Sequence, residues 1–186
     1  MRQNLPLTAT TLDASRGIFA GYASVFHVVD RQRDRVLPHA FAQHLKQHKT
    51  DVKLLWQHAW AEPIGVLLDI FEDARGLFIK GQLLPEVARA REAYALLQTG
   101  AINGLSIGYT PKRTRTNPDT GVRDLLEVEL FEVSLVTLPA NPHAIVTLVK
   151  SQPFPMPDYA ALHAALSDST RTLRGAISTV PSTNFH

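Results

Sequence analysis

Residues 64–84, IGVLLDIFEDARGLFIKGQLL, decide the fold class of this chain. Two runs rich in apolar and β-branched residues flank the turn-prone pentapeptide EDARG, and Gly76 offers the flexible position that a hairpin loop commonly needs. The segment therefore predicts two antiparallel strands joined by a short turn. It is the clearest local signal in the sequence, and it indicates a fold built mainly from strands.

Further strands and two helices are predicted on either side of this hairpin. Before it we expect a strand at 17–26, a charged loop at 30–35, a short helix at 40–48 and a strand at 52–58. After it we expect a helix at 86–98 ended by Gly100, a strand at 102–109, a polar surface loop at 112–121, a long strand or bent pair at 122–137 and a last strand at 144–149. Helices and strands do not alternate regularly, which favours a mainly antiparallel β-barrel or sandwich with peripheral helices.

The length of the chain sets its domain organisation. At 186 residues and 20.6 kDa it has room for one domain and a modest extension. We expect an N-terminal extension at 1–16 and a folded body at 17–150. Residues 151–186 are predicted to form a Pro-rich linker and a weakly amphipathic helical tail.

Composition excludes several classes of chemistry. The chain contains no cysteine, so it has no disulfide framework, no thiolate zinc site and no cysteine nucleophile. Nineteen basic and seventeen acidic residues give a net charge of +2, which is not the strong basic stripe of a nucleic-acid-binding protein. We therefore expect Arg31, Arg33, Arg35 and the basic run 112–115 to be solvated loop charges, and no nucleic-acid partner.

No apolar run in the sequence approaches the roughly 20 residues that span a bilayer. The first residues, MRQNLP, also lack the long apolar core of a secretory signal. We expect a soluble protein that is cytosolic where it is made and has no membrane partner.

Ser106 is a candidate nucleophile. It lies in GLSIG at 104–108, where strand alternation puts Gly104, Ser106 and Gly108 on one face. That face is bare around a hydroxyl, as a nucleophile attacking a peptide carbonyl requires. A Gly-rich strand at a close packing contact is the alternative, because GxSxG alone is a weak motif.

His58 is a candidate general base. The alternation of the strand 52–58 places it with Leu54 and Trp56 on the apolar face, where a partly buried neutral imidazole can accept a proton. A hydrogen-bonded structural histidine at a strand end is the alternative.

Glu132 is a candidate partner for such a histidine. It shares a face of the long strand with Val128, Leu130 and Val136, and burying an unpaired carboxylate costs several kcal/mol. A histidine held in one tautomer would satisfy it, and a structural salt bridge to an arginine is the alternative. A bulge near Phe131 would exchange the two faces and favour Glu129 instead.

The remaining histidines offer weaker candidates. His44 and His48 have the i, i+4 spacing of metal ligands on a helix, but no third ligand accompanies them in a zinc pattern, so we expect no metal and no cofactor. His143 follows Ser106 and Glu132 in the chain order Ser, Glu, His of an α/β-hydrolase, although the chain is short and lacks βα alternation.

Several segments become specific when they are taken together. They are GYASVF at 21–26, Asp34 with LPHAF at 37–41, LLWQH at 54–58, PIG at 63–65, GLSIGY at 104–109 and FEVSLVTLPANP at 131–142. In this order and spacing the chain resembles the HK97-type prohead proteases of tailed bacteriophages, a family of serine peptidases. The resemblance covers nearly all of residues 17–149.

The resemblance implies an assemblin-like β-barrel, related to the herpesvirus proteases, in which residues 17–150 form the catalytic domain. It implies Ser106 as nucleophile and His58 as general base. Glu132 is our choice for the third member, with His143 and Glu129 as alternatives, since assemblins use a second histidine.

The resemblance also implies a biological setting. The enzyme would cleave the scaffold region of the major capsid protein, and its own C-terminal tail, inside the immature capsid in the host bacterial cytoplasm. A homo-oligomer is possible in this setting. Two other functions stay open from the sequence: a catalytically silent capsid-assembly module with the same barrel, and a small esterase using Ser106, Glu132 and His143.

Overall fold

The structure is a computed structural model and describes residues 17–149; the predicted N-terminal extension and the predicted linker and tail lie outside the described residues. Within this range eight strands and two α-helices follow one another along the chain. They are β1 Ile18–Val25, β2 Asp34–Val36, α1 Ala42–His48, β3 Lys53–Trp56, β4 Ala59–Glu72, β5 Gly76–Leu83, α2 Ala88–Gln98, β6 Gly104–Thr116, β7 Arg123–Val136 and β8 Val146–Val149, with a single 3-10 turn at Lys49–Asp51 after α1.

The predicted hairpin is present as β4 and β5, which pair antiparallel. The Asp73 carboxylate accepts the backbone N–H groups of Arg75 at 2.8 Å and Gly76 at 3.0 Å, which closes the turn. Gly76 does not have a positive φ. A Cβ at Gly76 would overlap the backbone carbonyl of Ser24 on β1, so the glycine allows a close approach between strands rather than an unusual turn.

The strands curl into one sheet that closes on itself. The order β7-β3-β4-β5-β1-β8 runs along one path, and β6 pairs with the other edge of β7. The chain just before β8 then joins the two ends, because Leu105 of β6 donates its N–H to Ala144 O at 2.9 Å and Tyr22 of β1 donates to Ile145 O at 3.1 Å. A closed sheet has few unpaired edges, and the predicted mainly-β barrel with peripheral helices is confirmed.

The core fills the inside of this sheet. Fully buried side chains from every long strand meet there, among them Phe19, Leu54, Ile64, Leu77, Ile79, Leu105, Leu130 and Leu135. Helix α2 contributes Ala90, Ala93, Tyr94 and Leu97 to the same cluster. None of the helices in residues 17–149 has the length and apolar character needed to cross a membrane.

Two predicted loops are partly strand. Strand β6 continues to Thr116 instead of ending at Tyr109, because residues 110–116 pair with the N-terminal half of β7 although their side chains are mostly exposed. Residues 34–36 form β2, which pairs parallel with β7. Arg35 is therefore not a solvated loop charge: its Nε donates to Asp124 at 2.7 Å.

Strand β7 lies between other strands on both of its edges. One edge pairs antiparallel with β6 along its whole length, and the other pairs parallel first with β2 and then with β3. Its C-terminal half is thereby held between the strand that carries Ser106 and the strand that leads to His58.

Candidate active site

The pairing of β7 brings the conspicuous polar residues together. Glu132 lies opposite Gly108 of β6, and Ser134 lies opposite Ser106. On the other edge the same Ser134 is in register with Leu55 of β3, two residues before the turn that carries His58. Residues far apart in sequence thus meet at one position in the sheet.

His58 lies in the turn after β3 and not on the strand, so the predicted alternation to residue 58 is wrong. The strand ends at Trp56, which pairs with Ala59, and the two residues between them have positive φ, 50° for Gln57 and 60° for His58. Positive φ at both central positions is the pattern of a type I′ hairpin turn, which normally favours Asn and Gly. The His58 side chain keeps 43% of its surface exposed instead of joining the apolar face.

Glu132 and His58 form a short side-chain hydrogen bond. Glu132 Oε1 lies 2.6 Å from His58 Nδ1, and the Glu132 side chain is 4% exposed. A carboxylate accepts hydrogen bonds, so Nδ1 carries the proton in this contact and Nε2 of the neutral ring is left as an acceptor. The hydrogen bond to Glu132 raises the pKa of His58 above its ordinary value, against the opposing effect of burial and with the help of the carboxylate charge.

One neighbour of the Glu132 carboxylate holds it by a hydrogen bond, and another leaves space for it. The hydroxyl of Ser134, which is fully buried, donates to Glu132 Oε2 at 2.6 Å. A Cβ on Gly108 would overlap Glu132 Oε1, so this glycine of GLSIG makes space for the carboxylate. No arginine in the described part of the chain pairs with Glu132; the partner is the histidine.

Ser106 and His58 line one cleft of about 620 Å³. Ser106 is 6% exposed. Residues 30–32 of the loop before β2 form part of its wall, and so do Leu138, Ala140 and Asn141 after β7.

An ion-paired cluster also lines this cleft. Arg123 donates to both oxygens of Asp34, at 2.7 and 2.6 Å, and the Tyr109 hydroxyl donates to Asp34 Oδ2 at 2.7 Å. Burial works to raise the pKa of Asp34, but the hydrogen bonds from Arg123 and Tyr109 outweigh it and lower the pKa. Burial and the bond to Asp34 raise the pKa of Tyr109, so its hydroxyl stays protonated as a donor.

The other candidates lie elsewhere. The pairing of β6 and β7 does skip Phe131, yet Glu132 still faces His58, while Glu129 forms an ion pair with Lys112 and lines a separate cavity of about 180 Å³ beside His44. His143 is not among the residues that line the Ser106 cleft; its N–H donates to Asn141 Oδ1 at 3.1 Å. Glu132 contacts His58, and His58 lines the same cleft as Ser106, whereas neither Glu129 nor His143 lines that cleft.

Sequence reasoning missed Ser134 and Gln57. Gln57 fixes the turn through Nε2, which donates to Thr137 Oγ1 at 2.8 Å, and through its N–H, which donates to Leu135 O at 3.0 Å. The available signal for Ser134 was its spacing: two polar residues at i and i+2 share one face of a strand that is otherwise apolar there.

Comparison with known proteins adds an independent line of evidence. The model of the caudovirus prohead serine protease family matches residues 3–157. The prohead protease of Enterobacteria phage HK97 is 37% identical over 144 residues, which are 76% of this chain and 64% of that protein. A capsid polyprotein of Pseudomonas phage PAJU2 is 34% identical over 151 residues, 78% of this chain and 22% of the polyprotein. The chain thus spans less than two thirds of the length of either relative.

Solved structures share the fold. The bacteriophage T4 capsid assembly protease matches with a TM-score of 0.52 at 13% identity, over 64% of this chain and 81% of that one. The KSHV protease, solved with a hexapeptide phosphonate inhibitor, matches with a TM-score of 0.51 at 16% identity, over 72% of this chain and 65% of that one. At these identities the likeness is one of fold, and it identifies the barrel as the herpesvirus protease type.

Proposed function

The chain belongs to the caudovirus prohead serine protease family, and we propose that it is a serine endopeptidase that cleaves the scaffold region of the major capsid protein during prohead maturation. The observation that carries the proposal is the 2.6 Å contact between His58 Nδ1 and Glu132 Oε1, together with the cleft that His58 and Ser106 both line. A serine, a histidine and a carboxylate in this relation can activate a hydroxyl for attack on a peptide bond.

Each residue then has one role in the reaction. Glu132 keeps the Nδ1 proton of His58 in place, so that Nε2 takes the proton of Ser106 as its Oγ bonds to the peptide carbonyl carbon. His58 returns that proton to the departing amine, and the N-terminal part of the substrate remains bound to Ser106 as an ester. Water activated by His58 then hydrolyses the ester and restores the free serine.

The proposed substrates follow from the relatives. Relatives are named prohead protease and capsid polyprotein, which supports a capsid protein as substrate and the prohead as the place of cleavage. The host cytoplasm, where this prohead would lie, is part of the proposal. We include the chain's own tail, residues 151–186, as a second substrate, because a Pro-rich segment suits the extended conformation that a protease accepts.

Co-expression of the full chain with the major capsid protein of the same phage tests the proposal. Wild type is expected to shorten the capsid protein and to lose mass from its own C-terminal region, as measured by intact mass, while Ser106→Ala and His58→Ala leave both intact. His143→Ala is the matched control and should cleave like wild type.

Three outcomes would contradict parts of the proposal. Capsid cleavage by Ser106→Ala would overturn the nucleophile, and cleavage that survives His58→Ala but not His143→Ala would favour the Ser106, Glu132, His143 arrangement. A wild-type chain that neither cleaves nor reacts with a fluorophosphonate probe would be a silent assembly module.

A further inference from the structure

We infer that Ser134 is a positioning residue that holds both His58 and Glu132 in their working geometry, an inference that rests on the proposed function. Its hydroxyl makes two contacts at once. It donates its only proton to Glu132 Oε2 at 2.6 Å, and it accepts the backbone N–H of His58 at 3.1 Å.

These contacts close a ring of hydrogen bonds. The ring runs from the His58 imidazole to Glu132 Oε1, through the carboxylate to Oε2, on to Ser134 Oγ and back to the His58 backbone. Each oxygen of the carboxylate therefore has one donor, which fixes the carboxylate against rotation. The histidine is held at two points, its ring and its own main chain.

The position of His58 makes this support necessary. A non-glycine residue with φ near 60° is in a conformation that costs about 1–2 kcal/mol, and it persists only where its surroundings enforce it. The side chain of His58 is 43% exposed, so packing alone does not hold the ring. The bond from the His58 N–H to a fully buried hydroxyl ties the turn to the centre of β7.

Ser134 has no other task that the proposed reaction assigns to it. It lies opposite Ser106 in the pairing of β6 and β7, but it is fully buried and is not among the residues lining the cleft. It acts through His58 and Glu132 and does not touch substrate. Substituting it should therefore change the rate of the chemical step and the pKa of His58 while leaving binding unchanged.

Kinetics of the full chain with a fluorophosphonate probe test the expected change in the rate of the chemical step. In Ser134→Ala we expect the rate of Ser106 labelling at saturation to fall by roughly 10- to 100-fold, with the half-saturating probe concentration unchanged within about twofold. Ser134→Thr, which keeps the hydroxyl, should recover most of the rate. Val133→Ala is the control, because it truncates a buried side chain on the same strand without touching the ring and should label like wild type below its unfolding temperature.

NMR titration of His58 tests the expected change in its pKa and needs no turnover. The contact with Glu132 is what raises this pKa. In Ser134→Ala the pKa of His58 should fall toward 6.5. A separate check uses the labelling rate: in a Glu132→Gln background, Ser134→Ala should lower the rate little further, since both substitutions break the same ring of hydrogen bonds.

The outcomes separate this inference from the proposed function. Labelling of wild type but not of Ser106→Ala supports the enzyme, and a Ser134→Ala variant with wild-type labelling or an unchanged or raised His58 pKa would overturn the inference alone. Absence of wild-type labelling at Ser106 would overturn both.

Discussion

His58 combines an exposed ring with a raised pKa. Burial alone would lower the pKa of a histidine, but the hydrogen bond from Nδ1 to Glu132 outweighs it, and the negative charge adds to the effect. In the proposed reaction the imidazole must be neutral to accept a proton from Ser106. The same contact that orients the base therefore shifts its working range to higher pH.

We expect this shift to set the acid limb of the proposed activity. Activity should be lost as pH falls through the raised pKa of His58, so the midpoint is expected above 6.5, the ordinary histidine value. Glu132→Gln removes the cause and should move the midpoint down toward 6.5 while lowering the rate by at least about tenfold. The measurement is the pH dependence of kcat/KM, or of fluorophosphonate labelling.

Glu129→Gln is the matched control for this profile. Glu129 is three residues from Glu132 on the same strand, but it pairs with Lys112 beside a separate cavity. Its substitution should leave the midpoint in place. A midpoint that moves with Glu129→Gln and not with Glu132→Gln would reverse the assignment of the third member.

At the scale of elements, the turn between β3 and β4 is unusual in composition. Its two central residues, Gln57 and His58, have positive φ although neither is Gly or Asn. Hydrogen bonds from Gln57 to Thr137 and Leu135 hold it to the end of β7. The conformation needed by the histidine is thus stabilised from outside the turn.

The conformational cost of this turn can be measured by exchanging Gln57 for Gly and for Ala. Both variants lose the side-chain bond to Thr137, but only alanine retains the penalty of positive φ. Gln57→Gly should therefore be more stable than Gln57→Ala by about 1 kcal/mol in urea unfolding.

Lys53 supplies the matched control because it is exposed on β3, four residues earlier, and has no positive φ. There the order should reverse, with Lys53→Ala more stable than Lys53→Gly, since glycine weakens an extended strand. Equal stabilities for the two Gln57 variants would show that the turn is unstrained.

The same elements show what the sequence could and could not predict. The hairpin and the burial of Glu132 followed from alternation, because both depend on which face of a strand meets the core. The turn at 57–58 could not be predicted, since Gln and His are not residue types that indicate a positive φ. The polar residues 112–116 predict a loop but form the end of β6, because a strand that projects beyond the core and pairs only with a neighbouring strand needs no apolar face.

At the scale of the whole molecule, the absence of cysteine is an experimental opportunity. All 186 residues lack a thiol, so Ser106→Cys creates a single one in the cleft. Beside a histidine of raised pKa a thiol ionises more readily, and its own pKa falls below the ordinary value of about 8.5.

Alkylation of this single thiol should report on the neighbourhood of position 106. With iodoacetamide at pH 7 we expect Ser106→Cys to react about tenfold faster than the same variant carrying His58→Ala. Thr110→Cys, exposed on the same strand, should react at one rate with or without His58. Equal rates for the two position-106 variants would mean that His58 does not act on that site.

The double pairing of β7 makes activity a property of the finished barrel. His58 depends on the parallel pairing of β3 with β7, and Ser106 depends on the antiparallel pairing of β6 with the opposite edge. A slip of one residue between β6 and β7 would turn Ser106 to the other face of the sheet, and a slip between β3 and β7 would move His58 away from Glu132. If the proposed function is right, a nascent or partly folded chain has no working site, and cleavage begins only when the barrel is complete.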